Sequence, residues 1–190
     1  MAVAASRALA PGVGPPQRIT LEGLLIRRWQ PVDLMARFQA ITASYDHLGP
    51  WMDWLAEPPT LEKQRARSRM CAASWPTADH SFDYGIFDAD GTLLGAISLH
   101  DSLGPASLEV GYWCHVAHTG RGIVTRSVAE LTRIALELPG VDSVEIHCDE
   151  ANLRSAAVAR RLGYHLDRVE PRAKHAPAES GRGMYWVKHR

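Results

Sequence analysis

The stretch HTGRGIVT, residues 118–125, places two glycines around an arginine immediately before a predicted helix. A glycine-rich turn between a strand and a helix leaves backbone N–H groups unpaired at the positive end of the helix dipole, where phosphate oxygens bind. A P-loop would require lysine and then serine or threonine after Gly122, but Ile123 and Val124 stand there, and the third glycine of a dinucleotide fingerprint is also missing. The pattern therefore predicts either a different phosphate-binding turn or a helix start that only needs a tight turn.

Glu109 is the second candidate for chemistry. It is the only Asp, Glu, Lys or Arg residue from Ser102 through Gly120, and it lies on a predicted strand of apolar and aromatic residues. A carboxylate in such a strand is costly unless a cleft solvates it or a cation pairs with it. Two interpretations follow: a catalytic base, or an ion pair with an arginine of a neighbouring strand.

Two further positions carry polar side chains that suit catalysis. Asn152 and Ser155 are three residues apart and so share one face at the start of a predicted helix. Helix capping alone would explain Asn152, and an exposed position would explain Ser155. His100 ends a predicted strand, and an imidazole can accept a proton near neutral pH, although a structural or solvated histidine is the commoner case.

A metal site is the remaining interpretation of the clustered side chains Cys114, His115 and His118. Adjacent residues of a strand point to opposite faces and no fourth ligand is spaced nearby, so the sequence argues against a metal. Trp51 and Trp54 are three residues apart in an irregular segment, where aromatic core anchors are the ordinary explanation.

The elements that must position these residues follow from periodicity and turn signals. The predicted order is a strand or bent strand pair over residues 19–29, helices near 31–45 and 60–73, three strands over 82–116, a helix over 123–138, a strand over 141–149, a helix over 152–163, and strands near 164–169 and 184–189. This order predicts an α+β or α/β fold around one mixed sheet. Residues 1–17 contain three prolines and predict a disordered lead, which leaves residues 18–190 as a single domain.

The chain resembles the GNAT acyl-CoA N-acyltransferase superfamily and, within it, the RimJ/RimL-type branch. The resemblance covers nearly all of residues 18–190 and rests on LEVGYWCHVAHTGRGIVTRSV, DEANLRSAAVARRLGY and, less specifically, LGPWMDW. It implies an α+β fold, an α/β/α sandwich in which helices flank a mixed, mostly antiparallel central sheet. It also implies acetyl-CoA as co-substrate and a loop at residues 119–125 that binds the coenzyme A pyrophosphate. Thr119 and Val124 depart from the Gln/Arg-x-x-Gly-x-Gly/Ala pattern of that loop.

The resemblance also implies roles for individual residues. Glu109 would accept the proton of the amine through water, and Ser155 would protonate the leaving thiolate, with Tyr164 as the alternative acid because many relatives use a tyrosine. Trp51 and Trp54 would wall the acceptor pocket, beside which His100 is a candidate substrate contact. The implied coenzyme contacts are Tyr112, Trp113, Cys114, Thr119, Gly120, Arg121, Gly122, Ile123, Val124, Thr125, Asn152 and Ser155.

Composition excludes several other classes of function. The 190 residues include 21 basic and 21 acidic ones, a formal net charge of +0 that draws neither nucleic acid nor an anionic membrane. The chain has no apolar run of about 18 residues and its start lacks the apolar block of a signal peptide, so we expect a cytoplasmic protein. Its three cysteines form no Cys-x-x-Cys pair and predict reduced thiols.

The sequence therefore predicts an N-acetyltransferase that moves an acetyl group from acetyl-CoA to a primary amine of a protein or a small molecule, by direct attack in a ternary complex. A homodimer is the default expectation for its assembly. Two alternatives stay open: a non-catalytic acyl-CoA-binding regulatory module, and an acyltransferase that uses another donor such as succinyl-CoA.

Overall fold

A computed structural model describes residues 7–74 and 81–190, except for the side chains of residues 72–74. Within them, eight strands form one sheet in the order β1-β2-β3-β4-β5-β6-β8-β7. The strands are β1 (Arg18–Leu21), β2 (Leu24–Arg28), β3 (Ser81–Phe87), β4 (Leu93–His100), β5 (Ser107–Cys114), β6 (Ser143–Asp149), β7 (His165–Pro171) and β8 (Arg182–His189). The α-helices are α1 (Leu34–Ala43), α2 (Tyr45–Leu48), α3 (Leu61–Ser74), α4 (Ile123–Glu137) and α5 (Leu153–Arg161).

The sheet has one parallel pair in its middle. Neighbouring strands are antiparallel except β5 and β6, which pair in parallel only from Ser107 with Ser143 to Glu109 with Glu145. Both strands continue past that register, β5 to Cys114 and β6 to Asp149, without pairing to each other. They therefore diverge, and the edge of β5 beyond Glu109 is left open toward a cleft.

Helices cover both faces of the sheet. Alternating residues of β5 and β6, such as Leu108 and Ile146, are buried in the core cluster that α4 and α5 share with the sheet. On the opposite face, Trp29 and Trp113 belong to a second cluster with α1 and the segment that follows it. The amphipathic pattern of α4 explains this placement, because its apolar side is buried. The predicted α/β/α arrangement around a mixed, mostly antiparallel sheet is confirmed.

The chain before β1 is held against this body. Leu9 is buried, and the backbone N–H groups of Ala8 and Leu9 donate to the Asp101 carboxylate over 2.9 and 3.2 Å. The Tyr84 hydroxyl donates to the Pro16 carbonyl over 2.9 Å. Residues 7–17 therefore differ from the predicted disordered lead, because several apolar contacts and a few hydrogen bonds hold a segment that has no helix or strand. Residues 1–6 of that prediction lie outside the described residues.

No helix among residues 7–74 and 81–190 is both long enough and apolar enough to cross a membrane.

Candidate active site

The cleft between β5 and β6 contains five of the candidate residues, Trp51, Glu109, Tyr112, Asn152 and Ser155. It encloses a cavity of about 330 Å³. Both diverging strands line it, together with the start of α5 and the segments around residues 51–53 and 172–179. Glu109, Asn152 and Ser155, which lie up to 46 residues apart in the chain, all face this cavity, as does Trp51.

The glycine turn lies between the end of β5 and the start of α4. Gly120 and Gly122 have φ of 76° and 71°, the left-handed region that side chains disfavour, and a Cβ at either residue would meet no atom within 4 Å. Backbone conformation, rather than crowding, therefore requires both glycines. The N–H groups of residues 120–125 donate to no backbone acceptor in the part of the chain that the structure describes. Six N–H groups at the positive end of a 15-residue helix form a fitting site for a pyrophosphate.

Ser155 is held by two contacts at the start of α5. Its N–H donates to Asn152 Oδ1 over 3.1 Å, so Asn152 caps the helix, and its Oγ lies 2.8 Å from the Tyr112 hydroxyl. Burial raises the pKa of Tyr112, which keeps this phenol protonated. The sequence indicated only a backbone contact for Tyr112, and the proximity of its hydroxyl to Ser155 was not predicted.

Tyr164, the alternative acid, lies elsewhere. Its ring is buried in the core cluster under α4, and its hydroxyl is 2.6 Å from Thr132 Oγ1. Burial raises the pKa of Tyr164 to about 12. Tyr164 does not line the cleft. The structure therefore separates Tyr164 from the other candidates, because the end of α5 turns this residue into the core while the start of α5 faces the cleft.

The opposite wall of the cleft carries a row of ionisable side chains. The Glu109 carboxylate lies 3.7 Å from His147 Nδ1, and His147 Nε2 lies 2.7 Å from the Glu145 carboxylate. Ser107 Oγ also donates to Glu145 over 3.0 Å. Hydrogen bonds from His147 and then Ser107 lower the pKa of Glu145. No arginine of the described residues forms an ion pair with Glu109, so the expected arginine partner is replaced by a histidine.

His147 and Glu145 were not predicted as site residues from the sequence. The segment VEIHCD alternates polar and apolar residues on β6, which placed these two side chains on one face. Only the parallel pairing of β6 with β5 brings that face beside Glu109.

A second cavity, of about 430 Å³, lies on the α1–α3 side of the sheet. Trp54, which is 47% exposed, and His100 line it. Its lining shares Met52, Gly111 and Tyr112 with the cleft, so the two cavities meet at β5. His100 is the register partner of Glu109, and its Nε2 lies 2.8 Å from Ser98 Oγ. The two tryptophans are therefore separated: Trp51 faces the cleft and Trp54 the second cavity.

The remaining candidates on β5 and directly after it make contacts that support the fold. Trp113 is buried in the core cluster on the α1–α3 side. Burial raises the pKa of the Cys114 thiol, whose sulfur points to the Leu94 carbonyl 3.7 Å away. His115 Nδ1 accepts the Ala117 N–H over 3.1 Å and so caps a short 3₁₀-helix. Among residues 7–74 and 81–190, no group of three or more His, Cys, Asp or Glu side chains is arranged to hold a metal ion.

Known proteins share both this sequence pattern and this architecture. The profile of the family described as "Acetyltransferase (GNAT) domain" matches residues 23–165. The Bacillus subtilis (strain 168) protein named "Putative ribosomal N-acetyltransferase YdaF" is 29% identical over 148 residues, which cover 75% of this chain and 78% of that protein.

Solved structures of low sequence identity share the fold. RimL, a ribosomal L7/L12 alpha-N-protein acetyltransferase in complex with coenzyme A, superimposes with a TM-score of 0.80 at 20% identity, covering 90% of this chain and 97% of that one. The microcin C7 self-immunity acetyltransferase MccE, in complex with acetyl-CoA and AMP, has a TM-score of 0.80 at 17% identity, with 90% and 94% covered. The family profile matches well over half of the length of this chain. The chain therefore belongs to the GNAT acetyltransferases, enzymes whose co-substrate is acetyl-CoA.

Proposed function

We propose that this enzyme transfers the acetyl group of acetyl-CoA to a primary amine by direct attack inside the cleft between β5 and β6. The observation that carries the proposal is the pair of polar groups on the two walls of one cleft. Glu109, beside His147, can accept a proton on one wall, and Ser155, beside Tyr112, can donate one on the other. Amide formation from a thioester needs both groups.

The coenzyme would be bound mainly by backbone groups. The turn at residues 119–125 offers its unpaired N–H groups to the pyrophosphate, and Arg121 adds a positive charge beside it. The departure at Thr119 is compatible with this role, because its hydroxyl donates to the Val116 carbonyl over 3.1 Å and so stabilises the turn. The unpaired edge of β5 over residues 112–114 would pair with the amide groups of the pantetheine arm and offer an N–H to the thioester oxygen.

Glu109 is the proposed acceptor of the amine proton. A neutral amine attacks the thioester carbonyl carbon, the C–N bond forms, and the proton leaves the nitrogen for the Glu109 carboxylate, directly or through water. His147 is the proposed positioning residue: when its Nε2–H donates to Glu145, its Nδ1 faces Glu109 and can take that proton onward. Glu145 in turn fixes the orientation of the imidazole, as carboxylates do for catalytic histidines.

The leaving group, the thiolate of coenzyme A, would be protonated on the α5 side of the cleft. As the C–S bond breaks, the sulfur of coenzyme A takes up negative charge and then a proton. Ser155 Oγ is the proposed donor, and the Tyr112 hydroxyl 2.8 Å away can replace that proton because burial keeps the phenol protonated. The amine loses one proton and the thiolate gains one, so the products are the acetylated amine and free coenzyme A thiol.

Two measurements test this proposal. Calorimetric titration with acetyl-CoA, free coenzyme A and succinyl-CoA should give micromolar binding and should rank the acyl groups; absence of binding to all three would refute it. With a panel of amines read by thiol release, Glu109→Gln should lower kcat about 10²-fold or more while acetyl-CoA affinity stays within about threefold. Glu137→Gln, which removes an exposed carboxylate from α4, is the matched control.

The positioning role of His147 needs a separate readout. His147→Gln should change the pH dependence of kcat/KM as well as its magnitude, because the variant removes the imidazole that is proposed to take the proton onward from Glu109. A lower rate with an unchanged pH profile would indicate that His147 only supports the fold.

A further inference from the structure

The second cavity contains two buried polar atoms that have no hydrogen-bond partner. Arg37 of α1 is 8% exposed and Gln64 of α3 is 6% exposed, and both line the cavity of about 430 Å³. Within the described chain, Arg37 Nε finds no acceptor and Gln64 Oε1 finds no donor. Buried polar atoms are almost always paired, and an unpaired one costs free energy. An unpaired donor and an unpaired acceptor in one cavity indicate a ligand that supplies both partners.

The charges around the cavity leave one cation uncompensated. Arg67 pairs with Asp83 over 3.1 Å, and the exposed Lys63 pairs with Glu57 over 2.5 Å. Arg37 forms no such pair, because no carboxylate oxygen among residues 7–74 and 81–190 lies within 4.0 Å of its nitrogens.

The surroundings of Arg37 are an aromatic ring, a thiol and the ion pair of Arg67 with Asp83, whose two charges both act on the guanidinium. Its guanidinium lies 5.0 Å from the centre of the Trp29 ring, and its Nη1 lies 4.0 Å from Cys71 Sγ. Burial lowers the pKa of Arg37, yet a guanidinium stays charged in proteins. Asp83 is already paired with Arg67, so Arg37 is a buried charge without an ion pair of its own, which is unfavourable and which an anionic ligand would relieve.

The cavity leads to the reacting groups. It meets the cleft at Gly111, two residues from Glu109 on the same face of β5. A Cβ at Gly111 would lie only 3.0 Å from Ser98 Oγ and 3.2 Å from His100 Nε2, so the glycine keeps this junction open. A molecule bound beside Arg37 can therefore extend its amine across Gly111 toward Glu109.

We infer that this cavity is the acceptor site and that it selects a peptide α-amine with an acidic side chain close to the N-terminus, the carboxylate pairing with Arg37 and a peptide N–H donating to Gln64 Oε1. The inference rests on the proposed function for the role of the amine. The volume lies within the range of about 300–1,000 Å³ that is usual for ligand pockets. The bidentate fork of arginine matches a carboxylate, and the amide oxygen of Gln64 accepts a hydrogen bond, which a peptide N–H can donate.

A matched pair of acceptors tests the inference on the unmodified protein. The dipeptide amides Ala-Glu-NH₂ and Ala-Gln-NH₂ have nearly the same shape and differ in one charge. Their dissociation constants are measured by calorimetry and their kcat/KM values by thiol release with acetyl-CoA. We expect the acidic peptide to bind about tenfold more tightly or better, since hydrogen bonds to a charged group exceed neutral ones. A ratio below about threefold, or no binding of either peptide, overturns the inference.

A second pair of acceptors distinguishes a peptide from a small amine. β-Alanine carries an amine and a carboxylate without a peptide N–H, and its methyl ester removes the carboxylate charge without adding an amide N–H. A preference for the acidic member in the peptide pair, with a smaller one or none in this pair, supports the role of Gln64. A larger preference for β-alanine than for the acidic peptide overturns the assignment of a peptide acceptor.

Two variants test whether Arg37 causes the preference for the acidic peptide. Arg37→Gln should reduce the preference for Ala-Glu-NH₂ to about one, whereas Arg65→Gln, which removes a charge from an exposed position of α3, should preserve it. If Arg37→Gln does not fold, the comparison of the two peptides on the unmodified protein still decides. Failure of the proposed function is recognised separately: it shows as absence of acetyl-CoA binding, whereas the peptide ratio is measured by calorimetry without turnover.

Discussion

The contact between Tyr112 and Ser155 gives the sharpest prediction, and the perturbation is Tyr112→Phe. This change removes only the hydroxyl oxygen, which lies 2.8 Å from Ser155 Oγ and 3.3 Å from the Ser155 carbonyl. One good hydrogen bond between neutral groups contributes about 0.5–1.5 kcal/mol, and the second contact is too long to add much. We expect the free energy of unfolding to fall by about 1 kcal/mol and Tm by about 2–4 °C.

The effect on turnover should be far larger than the effect on stability. If Ser155 protonates the thiolate and Tyr112 replaces its proton, then loss of the hydroxyl removes the relay and lowers kcat by about 10²-fold. The dissociation constant of acetyl-CoA should stay within about threefold, since the backbone supplies most of the proposed coenzyme contacts. The assay combines thiol release under saturating acetyl-CoA with calorimetric titration and thermal unfolding.

Tyr164→Phe is the matched control. It also removes a tyrosine hydroxyl that contacts a side-chain hydroxyl, 2.6 Å from Thr132 Oγ1, but it does so in the core and outside both cavities. It should lower Tm by a similar amount and leave kcat unchanged. If Tyr112→Phe keeps its full kcat, or if the two variants lose kcat equally, the proposed relay through Tyr112 is refuted.

Three further predictions use other parts of the structure. Gly122→Ala should destabilise the protein by about 1–2 kcal/mol through its φ of 71° alone, since its Cβ meets nothing; a change below about 0.3 kcal/mol in urea unfolding would contradict this. Gly111→Ala should raise KM for the amine with acetyl-CoA affinity unchanged, because the new Cβ crowds Ser98 at the junction of the cavities; an equal loss for both substrates would place the effect elsewhere. Burial acts to raise the pKa of Asp149, but hydrogen bonds from Ser180 and nearby amides outweigh it and lower the pKa from 3.8 to about 2. A depressed pKa stabilises the fold above about pH 4 and loses that contribution as pH falls toward 2, so Asp149→Asn should flatten the acid side of a Tm–pH curve.

Much of the fold was predictable because its signals are local. The apolar spacing of α4, the alternation of β6 and the cap residue Asn152 each depend on neighbours within a few residues, and the structure contains all three. The glycine turn belongs to the same class, since the need for positive φ at Gly120 and Gly122 is a property of the backbone at those residues. Residues 7–17 differ because their order depends on contacts with Asp101 and Tyr84, far along the chain.

In the candidate site, too, some residues could be identified from the sequence, whereas their partners depend on the tertiary structure. Glu109 and Ser155 were identifiable from the sequence, one as an isolated charge on an apolar strand and the other by resemblance to a known family. Their partners were not: Tyr112 reaches Ser155 across 43 residues, and His147 meets Glu109 only because β5 and β6 pair in parallel and then diverge. Local periodicity indicates which face of an element a side chain occupies, but not which other element will cover that face. That choice is made by the packing of the whole sheet, which is why the tertiary structure was needed to assign these partners.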